Sequence, residues 1–253
     1  MISVVIPAFR EGERVKKGVK KLAQLLSNLE NYELVVVVEK GDLKTLENVK
    51  EAVINLNTPL KVVLVREKAG KGESLVRGVL EAKGEKILLV DADLPFKTGD
   101  LKRVLRKLER YDLVLASRYL KGSKRVGVPP YRILASRIFN LLTRILFREL
   151  REFSDTQCGL KAARKKPLEQ ALKCVFIGDY VFDVNLIYAF KLLGMKTTEI
   201  PVTYLHAPGS KITPLNIIPT STRMLASLLT LKAHAHLVKK CIQRVRREIG
   251  PPV

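Results

Sequence analysis

Two carboxylates one residue apart, Asp91 and Asp93, follow the apolar run Ile87-Leu-Leu-Val90. Such a run reads as a buried strand. A carboxylate pair at i and i+2 beyond its carboxyl end can hold a divalent cation against a diphosphate. The same Asp-x-Asp also suits an acidic turn that caps the next helix, because turns favour Asp. Pro7 closes the run Ile2-Ser-Val-Val-Ile6, and Glu39 closes Glu33-Leu-Val-Val-Val-Val38. If these runs are parallel neighbours, Pro7, Glu39 and Asp91 open into one crevice.

The intervening segments support that placement. About residues 13–29 carry Val15, Val19, Leu22, Leu25, Leu26 and Leu29 at helical spacing. Leu43–Leu56 reads as a second helix, Leu60–Val65 as a strand, and Gly70-Lys71-Gly72 as a glycine-rich turn before a helix over Glu73–Ala82. Leu101–Leu108 and Leu113–Ser117 add a helix and a strand. Strict alternation of this kind predicts an α/β fold, a mostly parallel sheet with helices on both faces.

Beyond residue 118 the chain changes character. The net charge is +21, and residues 118–151 and 223–253 together contribute 14 of it. Patches of this sign attract polyanions: nucleic acid, acidic lipid headgroups or phosphorylated substrates. Nucleic acid is not expected, because no reading motif or interleaved aromatic residues accompany the charge. Lys121–Pro130 reads as a basic loop. Tyr131–Leu150 reads as a helix with a broad apolar arc and a basic stripe of Arg137, Arg144, Arg148 and Arg151. The region Ser221–Ile249 repeats the combination, with Leu225, Leu228, Leu229, Leu237, Val238 and Ile242 beside Lys239, Lys240, Arg244, Arg246 and Arg247. Basic amphipathic helices lie in membrane interfaces, although each also suits an ordinary core-facing helix with a solvated side.

No stretch reaches the roughly 18–20 apolar residues of a spanning helix, and no basic leader with a cleavage site opens the chain. The expectation is a soluble or peripheral protein. Cys158, Cys174 and Cys241 show no paired spacing and read as reduced thiols of a cytosolic protein. His206 reads as a surface-loop imidazole. His234 and His236, two apart on a presumed helix, make a poor metal pair.

Taken together, the motifs resemble the family-two glycosyltransferases of GT-A fold, and among them the polyprenol-phosphate (dolichyl-phosphate) hexose synthases. The resemblance runs from Ser3 to about Leu215. Its markers are Val4-Val-Ile-Pro7-Ala8-Phe-Arg-Glu11, Gly70-Lys71-Gly72 with Arg77-Gly78, Asp91-Ala92-Asp93-Leu, Ser117-Arg118-Tyr119, Asp155-Thr-Gln157-Cys-Gly-Leu-Lys161, Phe182-Asp183-Val, and Glu199-Ile-Pro201-Val before Gly209-Ser210-Lys211. The resemblance implies an inverting transfer of a hexose from GDP-mannose or UDP-glucose to polyprenyl phosphate at the cytoplasmic face of a membrane.

It also implies roles for individual residues. Pro7, Ala8, Glu11, Glu39, Lys71, Asp91, Ala92 and Asp93 would bind the nucleotide-sugar donor, with Asp91 and Asp93 holding Mg²⁺ or Mn²⁺. Arg118, Arg132, Ser136 and Lys211 would bind the acceptor phosphate. Asp155 and Gln157 would shape the sugar and acceptor end, so that Asp91, Asp93, Asp155 and Arg118 form the catalytic set. Residues 1–215 would be the transferase domain, including the interfacial helix 131–150, and 216–253 a basic amphipathic extension in peripheral contact with anionic membrane. Transfer to a soluble or glycan hydroxyl, or a non-catalytic binding role, are the alternatives.

The sequence departs from the family pattern at several points. Glu39-Lys40-Gly41-Asp42 stands where relatives carry Asp-Asp-Gly-Ser, and Pro95 where mannose-type enzymes carry Gln. Asn185 replaces an acid, and Arg10 replaces an Asn.

Overall fold

In the computed structural model, residues 1–27, 31–54, 56, 58–176, 180–206 and 213–249 are described. The alternation expected from the apolar runs is present: β1 (Ile2–Ala8), α1 (Glu13–Leu26), β2 (Tyr32–Glu39), α2 (Leu43–Val53), β3 (Leu60–Val65), α3 (Gly70–Glu81), β4 (Lys86–Leu89), α4 (Thr98–Lys107) and β5 (Leu113–Ser117). There follow β6 (Lys124–Val126), α5 (Pro130–Leu146), a 3₁₀ turn at Arg148–Leu150, β7 (Lys161–Arg164), α6 (Lys165–Leu172) and α7 (Phe182–Leu193). The last elements are β8 (Thr197–Pro201), β9 (Thr203–Leu205), α8 (Ile217–Ala233) and α9 (Ala235–Ile249).

Seven strands form one sheet in the order β3-β2-β1-β4-β7-β5-β8, and β7 alone runs antiparallel to its neighbours. The chain moves outward from β1 to β3, then returns to lay β4 on the other side of β1. That reversal leaves a crevice beyond the carboxyl ends of β1 and β4, where open α/β sheets bind ligands. Side chains alternate across the sheet. Val4, Ile6, Leu34, Val36 and Leu88 pack with α1, α2 and α4 on one face. Val5, Val35, Val37, Ile87 and Leu89 share the opposite core with α3, α6 and α7. The C-terminal helices join this second core through Leu228, Leu231, Val238, Ile242 and Val245.

The structure corrects the reading in five places. Gly70-Lys71-Gly72 is the first turn of α3, not a turn before it. Gly78 of this helix serves close packing: a Cβ there would lie 2.4 Å from Val5 Cγ1. The helix expected over Tyr131–Leu150 ends at Leu146. The C-terminal region is two helices broken at His234, and the rings of His234 and His236 stack across the break at 6.5 Å. The strands β6, β7, β8 and β9 lie where no strand was expected.

Finally, Cys174 and Cys241 are joined in a disulfide, with Cα atoms 5.6 Å apart, and Cys158 is the free thiol. Local spacing could not reveal the bridge, because 67 residues separate its ends and α9 packs back onto the core to bring them together. Burial pushes the Cys158 thiol up to about 12, which leaves it unreactive.

Candidate active site

At the end of β1 the backbone turns sharply, with Arg10 at φ +47°. The turn is tied to the segment after β2. Arg10 N–H donates to Asp42 Oδ2 at 2.9 Å, and Glu11 N–H donates to Thr45 Oγ1 at 3.2 Å. Asp42 also caps α2 by accepting from Thr45 N–H at 3.2 Å. Burial alone would raise its carboxyl, but the hydrogen bonds from Thr45 and Arg10 outweigh this and hold it low. The unusual Glu39-Lys40-Gly41-Asp42 segment therefore braces the loop carrying Glu11. Glu39 is nearly buried at the strand end and has no ion pair or hydrogen bond through its carboxylate among the described residues. Lys40 points outward and is exposed.

Asp91, Ala92 and Asp93 form a tight turn beyond β4, closed by Leu94 N–H donating to Asp91 O at 3.0 Å. Leu94 adopts φ +41°, a left-handed conformation costing about 1 kcal/mol or more for a residue with a Cβ. Two glycines hold this turn in place. A Cβ on Gly18 of α1 would meet Ala92 O at 1.9 Å, and one on Gly159 would meet Asp91 Oδ2 at 1.7 Å. Ala92 is buried, so it sets the spacing of the two carboxylates and its methyl does not face the crevice.

Cations of the protein itself flank the pair. Lys71 Nζ lies 2.9 Å from Asp91 Oδ1, and Arg14 Nη2 lies 3.3 Å from Asp93 Oδ2 and 3.2 Å from Glu11 Oε2. Even so, burial and the charge of Asp91 push the Asp93 carboxyl up, against the pull of Arg14. Lys71 also reaches Asp183 Oδ2 at 3.6 Å, and the buried Lys161 pairs with Asp183 Oδ1 at 2.8 Å. Burial works to lower Lys71, but Asp183 and Asp91 outweigh it and keep the ammonium charged. Asp91, Lys71, Asp183 and Lys161 thus form a continuous chain of alternating charge. Only about 10 Å³ of open space remains between these groups and Pro7.

The donor set fits a hard divalent cation. Asp91 and Asp93 supply carboxylate oxygens on one short turn, the chemistry a hard divalent cation takes. Among the described residues no group of three or more His, Cys, Asp or Glu forms a metal cluster, so any remaining ligands would come from water and a substrate diphosphate.

Beyond β5, Arg118 and Asp155 make a bidentate pair. Nε donates to Oδ2 at 2.7 Å, Nη2 to Oδ1 at 2.8 Å, and the Arg118 N–H to Oδ2 at 3.0 Å. Asp155 is fully buried and also accepts from Gln157 N–H at 3.2 Å. Burial alone would raise its carboxyl, but Arg118 reverses this and holds it below the usual carboxylate range. Its oxygens are committed to these bonds, and Asp155 orients Arg118.

Arg118 Nη2 is 3.5 Å from Ser136 Oγ, which brings two of the expected acceptor residues together. The guanidinium also lies 5.6 Å from the rings of both Tyr119 and Tyr204. Arg132 Nη1 is 3.2 Å from His206 Nδ1, and burial together with Arg132 lowers the His206 ring. Gln157 keeps a buried Nε2 without a hydrogen-bond partner. Lys211, with Gly209 and Ser210, lies outside the described residues. The groups the sequence reading passed over are Gly18, Arg14, Lys161, Asp183 and Glu199. Glu199 accepts from Ser154 N–H at 2.9 Å and Asp155 N–H at 2.7 Å. Asp183, Lys161 and Glu199 fall inside motifs already singled out, whereas nothing local marks Gly18 or Arg14.

Residues 3–172 match the family described as Glycosyl transferase family 2. The chain belongs to that family. Curated relatives of this glycosyltransferase include a dolichol-phosphate mannosyltransferase of Pyrococcus furiosus, 28% identical over 204 residues. That match takes in 80% of this chain and 56% of the relative, so the chain spans little more than half of the Pyrococcus protein's length. The dolichyl-phosphate beta-glucosyltransferases of Dictyostelium discoideum and Homo sapiens are 24% and 25% identical, covering 85% and 84% of this chain and 69% and 70% of theirs.

Among solved structures, glucosyl-3-phosphoglycerate synthase of Mycobacterium tuberculosis with Mn²⁺, UDP-glucose and phosphoglyceric acid superposes with a TM-score of 0.71 at 20% identity. The match covers 92% of this chain and 80% of that one. The Mg²⁺ and UDP complex of the same synthase gives 0.69 at 21% identity, covering 91% and 78%. The family-two glycosyltransferase described here has the GT-A fold.

Proposed function

We propose that this glycosyltransferase moves a hexose from a nucleoside diphosphate sugar to a polyprenyl phosphate, with inversion at the anomeric carbon. The observation that carries the reading is the Asp91–Asp93 turn, clamped between Gly18 and Gly159 at the point where the strand order reverses. The names of the curated relatives support a lipid phosphate acceptor.

Pro7, Ala8, Glu11 and Glu39 line the nucleoside side, where the unpartnered Glu39 carboxylate suits ribose hydroxyls or a base N–H. Lys71 turns from Asp91 toward the donor diphosphate. Asp91 and Asp93 would hold Mg²⁺ or Mn²⁺, which supplies charge neutralisation for the leaving diphosphate. Arg132 and Ser136, with Lys211, receive the acceptor phosphate, and Arg118 is held at its edge by Asp155. A phosphate oxygen attacks the anomeric carbon, the bond from that carbon to the diphosphate breaks, and the nucleoside diphosphate leaves. An ionised phosphate needs no proton removed, which suits a site whose buried carboxylate, Asp155, is already ion-paired.

The protein works as a peripheral enzyme at the cytoplasmic face. Leu134, Ile138, Leu141 and Ile145 on α5 and Ile218, Leu225 and Leu229 on α8 are exposed, as an interfacial surface requires. No described helix is long and apolar enough to cross a membrane.

A soluble phosphorylated acceptor is the second reading, favoured by the phosphoglyceric acid complex of the mycobacterial neighbour. Labelled GDP-mannose and UDP-glucose, each offered polyprenyl phosphate or 3-phosphoglycerate with Mn²⁺, separate the two. Product in the organic phase is expected. Label transferred only to 3-phosphoglycerate would replace the lipid reading.

A further inference from the structure

A surface cavity of about 270 Å³ lies beside the Arg118–Asp155 pair, lined by Tyr119, Arg137, Asn140, Leu141, Arg144 and Ser154. Arg137, Asn140, Leu141 and Arg144 recur at i, i+3, i+4 and i+7, so α5 presents them on one face. Arg118, Arg132 and Ser136 do not line it, so the cavity adjoins the groups assigned to the acceptor phosphate and is lined by other residues.

Its polar lining divides into used and unused groups. Asn140 is buried and already committed: Oδ1 accepts from Thr156 N–H at 2.9 Å and Thr156 Oγ1 at 3.0 Å, and Nδ2 donates to Ser136 O at 3.0 Å. It forms a fixed floor. The Arg137 guanidinium stands 5.8 Å from the centre of the Tyr119 ring, which orients it. Neither Arg137 nor Arg144 pairs with a carboxylate among the described residues, and α5 contains no Asp or Glu. Arginine does not deprotonate in proteins, so the cavity cannot shed this charge as a lysine site could.

We infer that this cavity is a phosphate-binding subsite, taking a phosphate monoester or diester between the Arg137 and Arg144 guanidiniums. A guanidinium presents parallel N–H donors that match phosphate oxygens. The volume falls just under the roughly 300–1,000 Å³ of ligand pockets, which suits a headgroup phosphate and little more. The exposed Leu134, Ile138 and Ile145 on the same helix offer apolar surface to attached chains, which favours phosphate carried on a lipid of the bilayer. Such a lipid would hold α5 at the surface without occupying the transfer site.

The test compares the full chain with Arg137→Gln/Arg144→Gln and with Arg148→Gln/Arg151→Gln. The second pair removes the same charge from exposed residues just after α5 that do not line the cavity. Flotation uses phosphatidylcholine vesicles with and without phosphatidylglycerol; thermal shift uses inorganic phosphate and glycerol phosphate. The expected result is binding that needs phosphatidylglycerol, falls roughly tenfold or more in the cavity variant, and largely survives in the control. A thermal shift by free phosphate that is lost only in the cavity variant, without vesicle binding, would still establish the subsite and assign it a soluble ligand. Equal weakening in both variants, or no response to either probe, overturns the proposal.

Discussion

Gly159 and Asp91 touch: a Cβ on residue 159 would lie 1.7 Å from Asp91 Oδ2, well inside any real atomic contact. The loop after the Arg118–Asp155 pair is thereby fitted to the turn that carries the carboxylates. The turn proposed to hold the donor and the loop proposed to shape the acceptor end meet through this contact.

Gly159→Ala must push Asp91 out of place. An overpacked site of this kind costs about 1–3 kcal/mol of stability. Displacement of a substrate-holding group by about 1 Å costs on the order of 100-fold in rate. We expect a folded variant with normal circular dichroism, a small loss in urea midpoint and a much larger loss in transfer rate.

Asp93→Asn removes one of two clustered carboxylates. The metal-free variant should be at least as stable as wild type, because the cost of burying the charge, and secondarily its repulsion with Asp91, outweigh the lost pull of Arg14. Wild type with Mn²⁺ and sugar nucleotide at about 100 times Kd should gain about 2.7 kcal/mol, and the variant should lose that gain. Thermal shift with and without Mn²⁺ reads both effects.

The Arg118–Asp155 pair makes stability pH-dependent. Asp155 is held below the unfolded carboxylate value of about 3.9. Its contribution is therefore complete above about pH 5 and is lost as pH falls through the folded value. Asp155→Asn should cost about 3–5 kcal/mol at neutral pH, because it leaves Arg118 without its partner, and should flatten the acid limb of the stability curve. Urea denaturation from neutral pH to about pH 3 measures the slope.

The disulfide predicts its own chemistry. Alkylation of the unfolded, unreduced chain should label one cysteine, Cys158, and alkylation after reduction should label all three. Cys241→Ser should cost about 4 kcal/mol, the value that loop entropy gives for a closure of 67 residues.

Much of this was legible in the chain, and the reasons are local. β1, β2 and β4 carry strongly apolar runs, so their ends, and with them Pro7, Glu39 and Asp91, could be placed in one crevice from the sequence. β7 was hidden because Lys161 and Arg164 bound a strand of four residues. Lys161 is buried only because Asp183, 22 positions later, pairs with it. The Arg118–Asp155 and Glu199–Asp155 contacts likewise join residues 37 and 44 positions apart. Gly18 and Gly159 look like any helix or loop glycine until the Asp91-Ala92-Asp93 turn is laid against them. The exposed Leu134, Ile138 and Ile145 side of α5 was visible as part of an apolar arc. Which part of that arc faces the core was decided by Phe139 and Thr143.

The most direct measurement is transfer of labelled hexose from a nucleotide sugar into organic-extractable lipid by wild type and Asp93→Ala, each with and without Mn²⁺. The expected result is a lipid-linked product that requires polyprenyl phosphate and Mn²⁺ in wild type and is abolished in the variant. Product at the wild-type rate from Asp93→Ala, or none from wild type with any donor, would contradict the account.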